Sequence, residues 1–351
     1  MDAPGRYPQH LWQWLAALAV AGAAIYLLSP ILTPFLFAAI LAYICNPLVG
    51  RMTRRRVPRT LAVALVLMLL LAVFAILLLV LLPLLIRQTR AIADQAPFYV
   101  DWLRTAVASR MEQFFGLQLE TEMLREWVGE HVSEIRDLVV KMLPSLKTGG
   151  LAIFGFLVNL VLVPVVLFYF LRDWDAIVAG IDSLIPRQRH QRVALIAREI
   201  DDVLGQFLRG QLLVMLCMGL FYIGSLWLVG LDFALSVGII AGLVTFVPYL
   251  GVIAGVLLAT MTGLLQFQDV SQLWWVWSVF IAGNLLEGYL LVPWLVGDRI
   301  GLHPVAVIFA LLAFGSLFGF FGVLLALPVS AALLVWGRHL RSDYLASGMY
   351  R

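Results

Sequence analysis

The sequence predicts an all-α integral membrane protein of about eight transmembrane helices, with two Gly/Pro-broken re-entrant or discontinuous segments that form an inverted repeat. Three observations carry this. Hydrophobic residues make up 62% of the chain and charged residues 13%, where soluble domains sit near about 45–50% and about 25%. Long windows hold no charge at all, Leu61 to Ile86 among them, and about 18 apolar residues suffice to cross the roughly 30 Å of bilayer hydrocarbon. The run Pro304 to Trp336 would be about 50 Å long as one helix, too long for one crossing. Gly315, Gly319 and Gly322 gather at its middle, where the backbone turns at least steric cost.

The same composition excludes other classes. There is no GxxxxGK[ST] loop, no HExxH and no CxxC, so nothing points to ATP-driven transport, soluble enzymology, a cofactor or a metal. A net charge of +3 is small and local, and speaks to topology rather than to nucleic acid. Cys45 and Cys217 both lie in apolar segments and are assigned to packing.

Residues 1–86 are expected to hold transmembrane helices 1–3, a scaffold. After a short polar start, Leu11 to Leu28 is the first span; Ala19-Val20-Ala21 is compatible with a signal-peptidase site, but the apolar run continues beyond it. Ser29 and Pro30 are expected to make a tight turn, and Ile31 to Val49 to return. Arg51, Arg54, Arg55, Arg56 and Arg59 follow within nine residues. A short loop this basic belongs on the cytoplasmic side, and by parity so does the N-terminus. Leu61 to Ile86 then runs outward.

Residues 87–148 carry eight Lys or Arg and nine Asp or Glu. Leu119, Met123, Trp127, His131, Ile135, Leu138 and Met142 recur at helical spacing, so this reads as an extracytoplasmic amphipathic helical subdomain. His131 is expected to be packed rather than a ligand. Residues 149–171 form transmembrane helix 4. Residues 172–207 are amphipathic, with Val193, Ile196, Ile200, Val203 and Phe207 opposite Arg189, Arg192, Arg198, Glu199, Asp201 and Asp202. They suit cytoplasmic interfacial helices, either a static anchor or an element that moves with the core.

Residues 208–337 are the expected transport core, built from repeats 208–265 and 273–337, with a cytoplasmic tail at 338–351. Phe233 to Leu265 is a second overlong run. Pro248-Tyr249-Leu250-Gly251 aligns with Gly319-Phe320-Phe321-Gly322 at an offset of 71, and Thr245 falls on Ser316. Gly210-Gln211-Leu212-Leu213 matches Gly283-Asn284-Leu285-Leu286 at an offset of 73. Matches in order at nearly one offset indicate duplication, although a Gly- and Leu-rich composition produces some by chance. Gln211 opens its span at the cytoplasmic face and Trp274 at the outer face, so the units are inverted, an arrangement that places broken helices and a binding site near the midplane.

Phe207-Leu208-Arg209-Gly210-Gln211, Val247-Pro248-Tyr249-Leu250-Gly251, Glu287 followed by Pro293, Gly297-Asp298-Arg299-Ile300-Gly301-Leu302-His303-Pro304, Phe318-Gly319-Phe320-Phe321-Gly322 and Ala326-Leu327-Pro328 together resemble the autoinducer-2 exporter family, and within it the PerM-type permeases. The resemblance covers nearly all of the chain. It implies a multi-pass protein of the bacterial inner membrane with about eight spans that exports small solutes, some members being cation/proton antiporters. It also implies a homo-oligomer, with a pentamer as one form.

Few residues can do a transporter's chemistry here. Glu287 lies in the span Trp274 to Val296, where an ionisable group costs about 2.5–3.5 kcal/mol on insertion scales. Asn284 is three residues earlier and is expected to line a polar cavity with it; Gln211 and Arg209 could supply the opposing wall. Glu287 can be read as half of a buried ion pair or hydrogen bond, as a proton or cation carrier, or as a substrate contact. Thr245, Pro248, Gly251, Ser316, Gly319 and Gly322 are the expected broken-helix tips. The functional expectation is a secondary-active transporter with a small-molecule or ion substrate and the lipid bilayer as its surroundings. A cation/proton antiporter, a non-transporting scaffold acting through residues 87–148, and a passive channel are the alternatives.

Overall fold

The computed structural model describes residues 8–115, 150–267, 270–296 and 303–347. The stripe expected from Leu119 to Met142, with His131, and the segment from Asp298 to Leu302 lie outside them. Every regular element among the described residues is helical: α1 (Pro8–Arg54), α2 (Arg59–Phe115), α3 (Gly150–Ser183), α4 (Arg187–Leu228), α5 (Ala234–Val244), α6 (Leu250–Phe267), α7 (Val270–Leu286), a π-helical stretch Glu287–Val296, and α8 (Pro304–Ala346). Five segments are long and apolar enough to cross a membrane, namely Ile31–Arg54, Arg59–Gln88, Arg187–Leu228, Ser271–Leu295 and Val305–Ala346. Ala234–Val244 and Leu250–Leu264 are apolar but shorter. The expectation of about eight also counted Leu11 to Leu28, Gly150 to Leu171 and the arms of the broken runs.

The turn expected at Ser29 and Pro30 is not there, because α1 runs unbroken through both residues. Proline lacks the N–H that would bond the carbonyl four residues back, here that of Tyr26. The Ser29 hydroxyl donates to that same carbonyl at 2.8 Å, and Thr33 Oγ1 donates to Ser29 O at 2.6 Å. The Ser29 hydroxyl therefore mends the ladder where the proline interrupts it. With α1 continuous here, no turn at Ser29 and Pro30 separates two crossings that would place the N-terminus by parity.

The chain forms two compact units. The first comprises Met1–Leu71, Leu162–Val214 and Gly288–Arg351. Its core is Ala38, Ala42, Cys45 and Val49 of α1, Ala62, Val63 and Val66 of α2, and Val166, Leu167 and Leu171 of α3. Spacings of four, three and four put the α1 set on one helical face. The alanines let the backbones approach, which is how helices associate where lipid removes the hydrophobic drive between them. Phe37 of α1 meets Phe321 of α8, with ring centroids 4.6 Å apart.

Polar contacts collect at one end of this unit. Arg59 donates from Nε and Nη2 to Leu171 O at 3.2 and 3.0 Å and pairs with Asp175. The Tyr43 hydroxyl donates to Asp201 Oδ1 at 2.6 Å. His339 Nε2 lies 2.7 Å from Glu199 Oε2, and Arg192 pairs with Asp343. The start of α2, the start of α4 and the end of α8 are thereby tied together.

The second unit comprises Ala72–Val161 and Met215–Glu287. α5 and α6 form a hairpin, and α6 packs against α7. Gly238 and Gly242 bring α5 against the end of α4: a Cβ on Gly242 would lie 2.8 Å from Gly219 N and 3.1 Å from Met215 O. This is close packing through small residues four apart. Gln266 closes the base of the hairpin, accepting from Asp232 N at 2.8 Å and donating to Gly230 O at 2.6 Å. Trp277 Nε1 donates to Thr260 Oγ1 at 2.9 Å between α7 and α6.

Candidate transport site

Both overlong runs break, and each break has a hydroxyl side chain bonded back into the first arm and a glycine where the second arm closes on it. In the second unit α5 ends at Val244, and Thr245 Oγ1 donates to Ala241 O at 2.8 Å. The chain turns through Pro248 and Tyr249, and α6 begins at Leu250. A Cβ on Gly251 would lie 2.8 Å from Thr245 Cα and 2.9 Å from Ala241 O, so only glycine lets the second arm close on the first. In the first unit α8 loses helical geometry at Gly319, with φ 61° and ψ −143°, and Ser316 Oγ donates to Ala313 O at 2.9 Å. A Cβ on Gly322 would overlap Phe314 O. Residues eight apart in a straight helix are about 12 Å apart, so the backbone bends sharply between them.

Thr245 and Ser316, and Gly251 and Gly322, paired in sequence at an offset of 71, thus do the same local work in their own units. The left-handed residue differs. It is Gly319 in α8, but its partner in the alignment is Pro248, whose ring fixes φ near about −65°. The positive φ accordingly moves on one residue to Tyr249, at 68°.

Glu287 is half-buried at the point where α7 passes into the π-helical stretch, which contains Pro293. A π-helical turn is wider than an α-helical one, is rare, and is frequent at functional sites. Asn284 lines an open groove of about 510 Å³ with Tyr249, Trp277, Phe280 and Ile281. Glu287 is not among the residues lining it, so the cavity expected to be shared by the two is Asn284's alone. Tyr222 of α4 lies against α7 one turn before Glu287 on the same helical face, its hydroxyl oxygen 2.8 Å from where a Cβ on Gly283 would sit. Tyr222 is fully buried and stacks on Phe280, ring centroids 4.9 Å apart. Among the described residues its hydroxyl has no hydrogen-bond partner. Among the described residues of its unit, Glu287 makes no ion pair.

Sequence reasoning missed Tyr222. It sits in an uninterrupted apolar run with no spacing signal, and only Gly283, already prominent beside Asn284, hinted at a close approach. A second buried polar pair was also missed: Ser236 Oγ donates to Gln88 Oε1 at 3.3 Å, and among the described residues Gln88 Nε2 has no partner.

Arg209 and Gln211 belong to the first unit. Arg209 Nε donates to Gly205 O at 2.7 Å, and its guanidinium lies against Gly205 beside the Tyr43 hydroxyl. With Tyr43, Trp174, Arg198, Asp201 and Leu208 it lines a cavity of about 530 Å³. Gln211 is buried and engaged. Nearby, Arg172 donates from Nε and Nη2 to the two oxygens of Asp173, both at 2.9 Å. That hydrogen bonding holds the Asp173 carboxyl below the usual carboxylate range. Among the described residues no group of three or more His, Cys, Asp or Glu could hold a metal ion.

Residues 15–342 match the model of the AI-2E family transporter. The chain belongs to the AI-2E transporter family. Two Bacillus subtilis strain 168 proteins, each named "Putative transport protein", are similar to it along most of their length. YrrI is 27% identical over 320 residues, covering 89% of this chain and 87% of YrrI. YueF is 29% identical over 320 residues, covering 88% and 84%. The Escherichia coli K12 protein named "Putative permease PerM" is 26% identical over 322 residues, covering 91% and 90%. AI-2E family membership and the apolar helices together support an integral membrane protein with a permease or transporter role rather than an enzymatic one.

Proposed function

We propose that the protein is a secondary-active exporter of a small solute, coupled to a proton or cation gradient through Glu287, with its path between two inverted broken-helix units. The observation that carries this reading is a half-buried carboxylate inside an apolar span, placed where the helix loosens from α to π and without an ion pair among the described residues of its own unit. A carboxylate in such a place is costly and marks an ion or proton pathway more often than a structural contact. Among the described residues no cation of that unit pairs with Glu287, which speaks against the alternative of a buried salt bridge.

The two bends give the carboxylate something to act on. Two Gly-closed bends at one sequence offset are what duplicated units would retain, and backbone opened at membrane depth is tolerated only where protein or a watery cavity covers it. Arg209 and Gln211, which open the first repeat, are assigned to substrate contact in this reading. The Arg51 to Arg59 loop is assigned to the cytoplasm of a bacterial inner membrane, and the functional form to a homo-oligomer.

The test is uphill efflux from proteoliposomes carrying the purified protein, over a panel of small polar metabolites and of Na⁺ and K⁺. Dissipation of an imposed pH gradient is followed with an entrapped pH dye. An exporter or an antiporter moves at least one panel member against its gradient and stops when the proton or cation gradient that drives it is collapsed. Downhill flux alone, or none, overturns the reading in favour of a channel or a scaffold.

A further inference from the structure

The Tyr222 hydroxyl is the most anomalous polar group in the second unit. It is fully buried, has no partner among the described residues, and sits on a ring that stacks against Phe280. Phenylalanine would make the same stack without stranding a hydroxyl, and buried polar groups are nearly always satisfied. Gly283 of α7 is shaped around this group as well. A Cβ there would lie 2.6 Å from the ring's Cε1 and 2.8 Å from the hydroxyl oxygen, so any larger residue would expel Tyr222. Two positions, on α4 and on α7, are therefore committed to placing one O–H with nothing yet to bond.

One helical turn beyond Gly283, on the same face, stands Glu287. Gly283 thus puts the Tyr222 hydroxyl on the face of α7 that Glu287 continues, within the same unit. Glu287 also opens the π-helical stretch, where the wider turn gives a side chain freedom to re-aim that a regular α-helix does not.

We propose that the Tyr222 hydroxyl is the donor that receives the Glu287 carboxylate when that side chain swings in during the transport cycle, which makes Tyr222 a positioning residue for coupling. This rests on the coupling role proposed for Glu287. A donor held in a dry site favours the ionised carboxylate over the protonated acid, so Tyr222 sets how readily Glu287 gives up and regains its proton. It does so without touching the solute.

The experiment uses the full-length protein in proteoliposomes and the apolar reagent dicyclohexylcarbodiimide, which modifies protonated carboxyl groups in apolar surroundings. Modification of Glu287 is read by peptide mass spectrometry in the wild type and in Tyr222→Phe, with Glu287→Gln as the blank. At pH 7 the Phe variant is expected to label about three- to tenfold faster, the factor that one hydrogen bond of ordinary net strength represents. At pH 5 the two rates converge as the acid form comes to predominate in both. Equal rates at both pH values remove Tyr222's part while leaving Glu287 as a titrating carboxyl. A faster rate that is the same at both pH values shows access rather than hydrogen bonding and also overturns the inference. No labelling of Glu287 in either protein defeats the coupling reading itself. The thermal midpoint of Tyr222→Phe should not fall below that of the wild type, because its hydroxyl is unpartnered at rest.

Discussion

Ser29 carries a small, separable job: its hydroxyl bonds the carbonyl that Pro30 abandons, and α1 continues. Ser29→Ala should strand the Tyr26 carbonyl and destabilise the protein by about 1–2 kcal/mol. The signature is faster amide exchange within one turn of residue 29, with Ser29→Thr restoring the wild-type pattern; unchanged exchange in the Ala variant would assign the continuity of α1 to packing instead. Asp173 shows the opposite, an exposed pair of little weight. Its carboxyl lies below the usual range, so whatever it contributes is present above about pH 3.9 and fades only as pH falls through the lowered value. Single residues were the least legible part of the sequence. Ser-Pro reads as a turn because proline breaks ladders, and nothing in the letters says that the adjacent hydroxyl will mend this one. Tyr222 was invisible for a related reason: being buried without a partner is a property of its neighbours.

At the scale of elements, the two bends share one device and should fail alike. Gly251→Ala and Gly322→Ala each drive a Cβ into backbone of the preceding arm, and overpacking of this kind costs about 1–3 kcal/mol. Gly224 in α4 faces open space, so Gly224→Ala should be neutral or stabilising by up to about 1 kcal/mol. Thermal midpoints in detergent compare the three, and a Gly251→Ala or Gly322→Ala protein as stable as Gly224→Ala would show that the arms do not close on these glycines. These breaks could be read from the sequence because length and chemistry agreed: each run exceeds one crossing, and glycine or proline sits at its middle. The shift of the left-handed residue from Gly319 to Tyr249 could not be, since it depends on which position proline excludes. The widening at Glu287 was equally hidden, because no residue pattern distinguishes a π-helical stretch from an α-helix with a proline in it.

At the scale of the molecule, Arg59 with Asp175, Glu199 with His339, and Arg192 with Asp343 gather the basic loop, the start of α4 and the end of α8 at one end of the first unit. They should face one side of the membrane together. In a background with Cys45 and Cys217 replaced, Arg55→Cys and Ser347→Cys should resist an impermeant thiol reagent in intact cells and react in inverted vesicles; opposite reactivity at the two positions would separate them across the bilayer. The membrane class and the family were legible from hydropathy and from motifs after Leu208, whereas the assignment of a role to Glu287 rests on its placement in the fold. The most direct measurement is gradient-driven efflux in proteoliposomes by Glu287→Gln and Glu287→Asp, beside their thermal stability. Glu287→Gln keeps shape and hydrogen-bonding capacity but fixes the charge at zero, so it should fold with a wild-type midpoint and lose coupled transport, while Glu287→Asp only slows it. A Gln variant that is stable and transports at the wild-type rate across the whole pH range would contradict the account.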